Sequence, residues 1–81
     1  MFITYIIYSE SINRYYVGST SQTIDERLRR HNSAHKGFTG RAFDWELKYI
    51  ENHDSKKDSL ILEQKIKKRG AGRFLKDINH A

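Results

Sequence analysis

The chain contains no cysteine, no proline and no long apolar run, and these absences narrow what it can be. Without cysteine there is neither a disulfide framework nor a thiolate metal site. Ordinary packing must hold the fold, as expected of a protein in the reducing cytoplasm. No stretch approaches the roughly 18 apolar residues of a membrane span, and none has the hydrophobic region of a signal peptide. Linkers, internal repeats and low-complexity tracts are lacking too. The 81 residues therefore predict one domain, residues 1–81, burying only about 60–65% of the surface its unfolded chain exposes.

Positive charge is plentiful. Fifteen Lys and Arg against ten acids give a formal net charge of +5, a balance that points to a polyanion as partner. The positives cluster in Arg27–Arg30, Lys36–Arg41 and Lys65–Lys76, where a folded chain can line them along a groove. No helical segment combines a strong apolar face with a uniformly basic one, which argues against a membrane surface.

Taken in order, the chain opens with two aromatic and β-branched runs, Phe2–Tyr8 and Tyr15–Val17, around the polar connection Ser9–Arg14. Asn13 suits a left-handed turn position, so this stretch predicts a β-hairpin. Four of the five tyrosines lie in it, either as half-buried strand formers or as suppliers of hydroxyls. The polar residues 18–23 are expected to end the second strand. Thr23 and Glu26 match a capping box, predicting a helix over residues 24–33. Ile24, Leu28 and the stem of Arg27 share one side of it. Arg27 and His31, four apart, border that stripe either as a snorkelling arginine with a surface histidine or as a functional pair.

His35–Arg41 reads as a basic loop or short turn. Residues 44–51 alternate Trp45, Leu47 and Tyr49 against Glu46, Lys48 and Ile50, the pattern of a half-buried strand, which Asn52, His53 and Asp54 are expected to break. Ser55 can cap a helix over residues 56–69, with Asp58 favoured by the dipole. On the helical wheel Glu63 falls between Ile66 and Leu60, inside the apolar arc. A carboxylate there costs several kcal/mol unless a cation, a metal or hydrogen bonds compensate it. Gly70 occupies a helix-ending position, and Phe74, Leu75 and Ile78 predict a short closing helix. The order β-β-α-loop-β-α-α is an α+β domain with a small antiparallel sheet.

The polar residues singled out share one use. Phosphodiester hydrolysis needs a base for the attacking water, positive charge for the transition state and commonly a divalent metal. A tyrosine can be the base if a nearby cation or metal lowers its pKa from about 10. Arginine grips phosphate oxygens in a planar fork. Magnesium is commonly held by one or two carboxylates, with water and phosphate completing its shell, so one glutamate suffices.

These residues and their spacing resemble the GIY-YIG endonucleases. Tyr16-Val17-Gly18 is similar to the YIG element, and Tyr5 stands eleven positions earlier, where the tyrosine of GIY belongs. Glu26–His31 is similar to the family's arginine helix, and Leu60–Lys67 to its metal-glutamate helix. Ile3 and Thr4 replace the Gly-Ile of GIY, and Asn79 lies too far downstream to be the family's asparagine. The resemblance implies a three-stranded antiparallel sheet flanked by helices. It implies Tyr5, Tyr16, Arg27 and His31 as catalytic residues, Arg27 stabilising the transition state, and one Mg2+ or Mn2+ held by Glu63. Which tyrosine is the base stays open.

The implied activity is a metal-dependent endonuclease on DNA, branched or single-stranded forms included. A nucleic-acid-binding module without hydrolysis is the alternative. The chain carries no recognition module for base readout. Affinity is expected from phosphate contacts by Lys36, Arg41, Lys65 and Lys68. Trp45 and Phe38 are either stacking surfaces for unpaired bases or, for Trp45 especially, core.

Overall fold

The computed structural model describes residues 1–79. Its elements are β1 (Phe2–Ser9), β2 (Arg14–Thr20), α1 (Ile24–His31), a 3-10 turn (Phe38–Arg41), β3 (Trp45–His53), α2 (Lys56–Arg69) and α3 (Ala71–Asn79). The three strands form an antiparallel sheet in the order β2-β1-β3, the expected α+β architecture. The chain reverses between β1 and β2 with Asn13 at φ 53°, the left-handed conformation expected of it.

Several boundaries move, each for a tertiary reason. β2 runs on through Gly18, Ser19 and Thr20 because β1 presents Tyr5, Thr4 and Ile3 opposite them. Backbone pairing does not require apolar side chains. β3 likewise continues through Asn52 and His53, opposite Ile3 and Phe2. Helix α1 stops at His31, where Asn32 caps it. The Asn32 side chain then pairs with Trp45 as a strand would, donating to its carbonyl (3.1 Å) and accepting from its N–H (2.7 Å). Thr23 accepts from the Glu26 N–H (3.2 Å) and Ser55 from the Asp58 N–H (3.1 Å), as the capping patterns predict.

The expected alternation of β3 fails at one point. Ile6 pairs with Tyr49 and Ile7 with Leu47, so Lys48 is the extra residue of a β-bulge. Beyond it the side chains change faces. Trp45 packs with Ile3, Tyr5, Ile7 and Ala42 on one face of the sheet. Tyr49 packs with Ile6, Val17, Ile66 and Ala71 on the other. Helix α1 contributes Ile24 and Leu28 to the first cluster; α2 and α3 contribute Leu62, Phe74 and Leu75 to the second. Burying residues such as Ile6 and Ile66 completely is worth about 1.5–3 kcal/mol each.

The arc on α2 is narrower than the wheel suggested. Ile66 is fully buried, but Leu60 is 40% exposed, so Glu63 borders the buried face rather than sitting at its centre. Ser59, one turn before Glu63, takes the buried place assigned to Leu60 because β1 meets the helix through a small polar residue there. Thr4 donates to the Ser59 carbonyl (2.7 Å), and His53 Nε2 lies 3.1 Å from the same hydroxyl. Thr4 thus clamps α2 to the sheet. Helix α3 begins at Ala71, directly after Gly70. Phe74 and Leu75 are half-buried in it, but Ile78 is 40% exposed, outside the expected apolar face.

Candidate active site

The site starts from the pairing of Tyr5 with Gly18 across β1 and β2. A Cβ on residue 18 would sit 2.6 Å from Tyr5 Oη and 3.0 Å from a Tyr16 ring carbon. The phenol therefore lies flat across the neighbouring strand only because that residue is glycine. Tyr16, two residues earlier on the same strand, points to the same face, with its ring centroid 6.5 Å from that of Tyr5.

Helix α1 lies over this face and supplies two groups, one turn apart. His31 Nε2 is 2.8 Å from Tyr5 Oη, and Nδ1 is 2.8 Å from Thr39 Oγ1. Arg27 Nη2 donates to Tyr5 Oη at 3.5 Å. The sequence pattern left His31 open as a surface residue; it is 5% exposed. The buried Nε of Arg27 finds no hydrogen-bond partner among the described residues, so this guanidinium holds unused donor capacity beside two tyrosines.

Electrostatics separate the groups. Burial pushes the Tyr5 phenol above its ordinary pKa, as do the nearby Tyr16 and Glu63, while the Arg27 hydrogen bond and charge pull it back. The hydroxyl is therefore protonated at neutral pH, and something must take its proton before it acts as a base. Burial lowers the His31 pKa to about 4, helped by Arg27, His35 and Arg30. His31 is therefore neutral at pH 7, with one ring nitrogen free to accept.

A cleft of about 300 Å3 opens over this cluster, lined by Tyr16, Arg27, Arg30, His31, His35, Lys36, Phe38 and Thr39. Tyr5 lies behind the lining and is fully buried. Phe38 is 39% exposed and stacks roughly parallel to Tyr16 (6.4 Å, 19°), with the Arg41 guanidinium 5.8 Å over its ring. Trp45 is core, 2% exposed, its Nε1–H donating to the Thr39 carbonyl at 2.8 Å.

Glu63 stands on α2, within electrostatic reach of Tyr5. Its Oε1 accepts from the Ser19 hydroxyl at 2.8 Å, and its Oε2 pairs with Lys67 Nζ at 2.6 Å. The carboxylate is 12% exposed against 48% for Lys67. Among the described residues no three His, Asp or Glu side chains gather as a metal cluster. A lone carboxylate held by a serine suits the Mg2+ mode in which water and phosphate oxygens fill the remaining shell.

The fold thus brings Tyr5, Tyr16, Arg27 and His31 together, with Glu63 in electrostatic reach of Tyr5 and Lys36 and Arg41 at the cleft. It does not bring Lys65 and Lys68 there. They line a separate depression on α2 with Ile61, Gln64 and Lys67. Sequence reasoning passed over Ser19, Arg30, His35, Thr39 and Lys67. Their signal was weak, because HKGFTGR reads as a basic loop and Ser19 as a strand-ending polar residue.

A family model described as the GIY-YIG catalytic domain matches residues 1–73, a span that includes every one of these side chains from Tyr5 to Glu63. Neither the curated proteins nor the solved structures returned a match. Among the described residues no helix is long and apolar enough to cross a membrane.

Proposed function

Since the chain belongs to the GIY-YIG family of nucleases, we propose that it is an endonuclease that hydrolyses phosphodiester bonds in DNA with the help of one divalent ion, Mg2+ or Mn2+. The observation that carries this reading is the hydrogen-bonded trio of buried Tyr5, buried His31 and half-buried Arg27 at a cationic cleft. A protein that only bound nucleic acid would have no use for a phenol hydrogen-bonded to a neutral imidazole inside its core.

The geometry supports a role for each of these residues. Arg27, which lines the cleft, grips the scissile phosphate and stabilises the charge that builds in the transition state. Tyr5 and Tyr16 supply the base and the orienting hydroxyl. Tyr5 is the one whose proton has a place to go, because His31 Nε2 lies against it. Tyr16 lines the cleft where water and phosphate enter. Glu63 is the residue that would hold the ion, and a bound ion supplies further positive charge at the phosphate. Its Oε2 already faces a cation, the Lys67 ammonium, which the ion would displace.

Substrate binding rests on phosphate contacts from Arg30, Lys36 and Arg41 around the cleft, with Lys65 and Lys68 extending the charge along α2. Specificity for sequence is weak, and affinity falls steeply with salt. Phe38, exposed beside the cleft, offers a stacking face to an unpaired base, which favours branched or single-stranded DNA. Repair, recombination or mobility of a genetic element, in the cytoplasm, are the settings that suit such an activity.

Incubating the protein with supercoiled plasmid and with branched or single-stranded DNA tests this reading, with Mg2+, Mn2+ or EDTA. Cleavage is expected with either ion, none with EDTA, and at least about 10³-fold less with Glu63→Ala. Binding without cleavage under every condition would leave a nucleic-acid-binding module instead.

A further inference from the structure

The His31 ring is held from behind by two residues of the loop that follows α1, and the direction of every hydrogen bond among them is set by one backbone carbonyl. His35 Nδ1 lies 2.7 Å from the Ser33 carbonyl oxygen. A carbonyl only accepts, so Nδ1 carries the hydrogen, and the Nε2 of neutral His35 is an acceptor. Thr39 Oγ1 lies 2.8 Å from that Nε2 and donates its single hydrogen to it. The Thr39 oxygen is then left to accept from His31 Nδ1 at 2.8 Å. Neutral His31 with its hydrogen on Nδ1 turns the Nε2 lone pair toward Tyr5, whose hydroxyl donates to it at 2.8 Å.

The loop is built to make this chain. Thr39 is 4% exposed, and its carbonyl is pinned by the Trp45 indole. A Cβ on Gly40 would lie 2.0 Å from the His35 carbonyl oxygen, so the turn that delivers Thr39 between the two imidazoles closes only with glycine at that position.

We propose that Thr39 and His35 are positioning residues for the Tyr5–His31 pair, orienting the acceptor nitrogen of His31 onto Tyr5 and carrying the Tyr5 proton out to the cleft; this rests on the nuclease reading above. The transfer balances within the chain. The Tyr5 proton moves to His31 Nε2, the His31 Nδ1 proton moves to Thr39 Oγ1, and the original Thr39 proton moves to His35 Nε2. Tyr5 ends as a phenolate facing His31 Nε2–H and Arg27. His31 and Thr39 are again neutral, and His35 is an imidazolium.

The destination suits the charge better than the starting point does. Burial makes a charged His31 unfavourable, whereas His35 is half-buried and lines the open cleft. The charged and titratable groups sharing that cleft with His35 are Arg27, Arg30, His31, Lys36 and Tyr16, and no carboxylate is among its described lining residues. At His35 the proton lies at the open cleft, where solvent can take it.

The test is imidazole 15N–1H NMR on the full chain together with plasmid cleavage in Mn2+, for wild type, Thr39→Val, Thr39→Ser and His35→Ala. Wild type is expected to show His31 and His35 both protonated at Nδ1. Thr39→Val, which removes only the hydroxyl, should move the His31 hydrogen to Nε2 and slow cleavage about 10²-fold. Thr39→Ser should restore both. His35→Ala breaks the chain from its outer end, with little packing lost, and should shift His31 in the same sense. A wild-type His31 protonated at Nε2 overturns the proposal even if DNA is cut, and so does a Thr39→Val variant that cuts at the wild-type rate. A chain with the expected tautomers that cuts nothing overturns the nuclease reading itself.

Discussion

The two faces of the sheet are built from the same strands for different ends. The face under α2 and α3 is apolar packing: Ile6, Val17, Ile66 and Ala71, with half-buried aromatics and leucines around them. The face under α1 buries Tyr5, His31, Thr39 and the Nε of Arg27 among its isoleucines. Buried polar groups cost stability unless each is paired, and in a domain this small few kcal/mol are in reserve. One face is mainly apolar packing, then, and the other gives up part of that stability to keep polar groups buried. The clamp from Thr4 to Ser59 is the polar exception on the structural face, and it serves to seat the helix that carries Glu63.

Substitutions on the two faces should divide accordingly. Tyr5→Phe, which keeps the ring and removes the hydroxyl, is expected to lower cleavage by about 10²–10⁴-fold while costing about 1 kcal/mol of stability. Ile66→Ala should do the reverse, costing about 2–5 kcal/mol with cleavage per folded molecule nearly unchanged. Denaturant melts paired with plasmid assays read both, and a Tyr5→Phe variant that cuts normally would erase the distinction.

Acid offers a smaller effect on the same contrast. The folded-state pKa of His31 is about 4, below its ordinary 6.5. Between those values the unfolded chain binds the extra proton, so stability falls as pH drops from about 6.5 toward 4. The loss approaches about 3 kcal/mol at the low end. Melting temperatures across this range should fall for wild type and fall less for His31→Gln; equal slopes would mean that His31 is not a buried neutral imidazole.

The smallest expected change concerns Lys67. Removing the ammonium that shares Glu63 Oε2 frees the carboxylate, so Lys67→Met should raise Mn2+ affinity up to about fivefold, the scale of an exposed ion pair. The rise in melting temperature on adding Mn2+ reports it, and no gain would show that Lys67 does not compete for that oxygen.

Much of this was legible before the structure. The hairpin, both helix caps, the left-handed Asn13 and the element order follow from local pattern, because turn and cap residues act through their own backbone. Arg27, His31 and Glu63 stood out by type and position, whereas Tyr5 and Tyr16 were separated from the other hairpin tyrosines only by the resemblance to the GIY-YIG nucleases. The burial of His31 did not, since one helix's periodicity cannot say what a neighbouring loop will cover. The β-bulge at Lys48 was invisible for a related reason: pairing with β1 moved Tyr49 to the other face, although alternation along β3 alone had put it beside Trp45.

By itself, then, the sequence determined which local structures form and which side chains are chemically equipped. Only the tertiary structure decided how they meet. Gly18 leaves room for the Tyr5 phenol, the loop after α1 sets Thr39 between two imidazoles, and Lys65 and Lys68 turn away from the cleft. The physical reason is range. Caps, turns and periodicity are settled within a few residues, whereas the hydrogen bond from Tyr5 to His31 joins groups 26 positions apart and exists only once the sheet and α1 have packed.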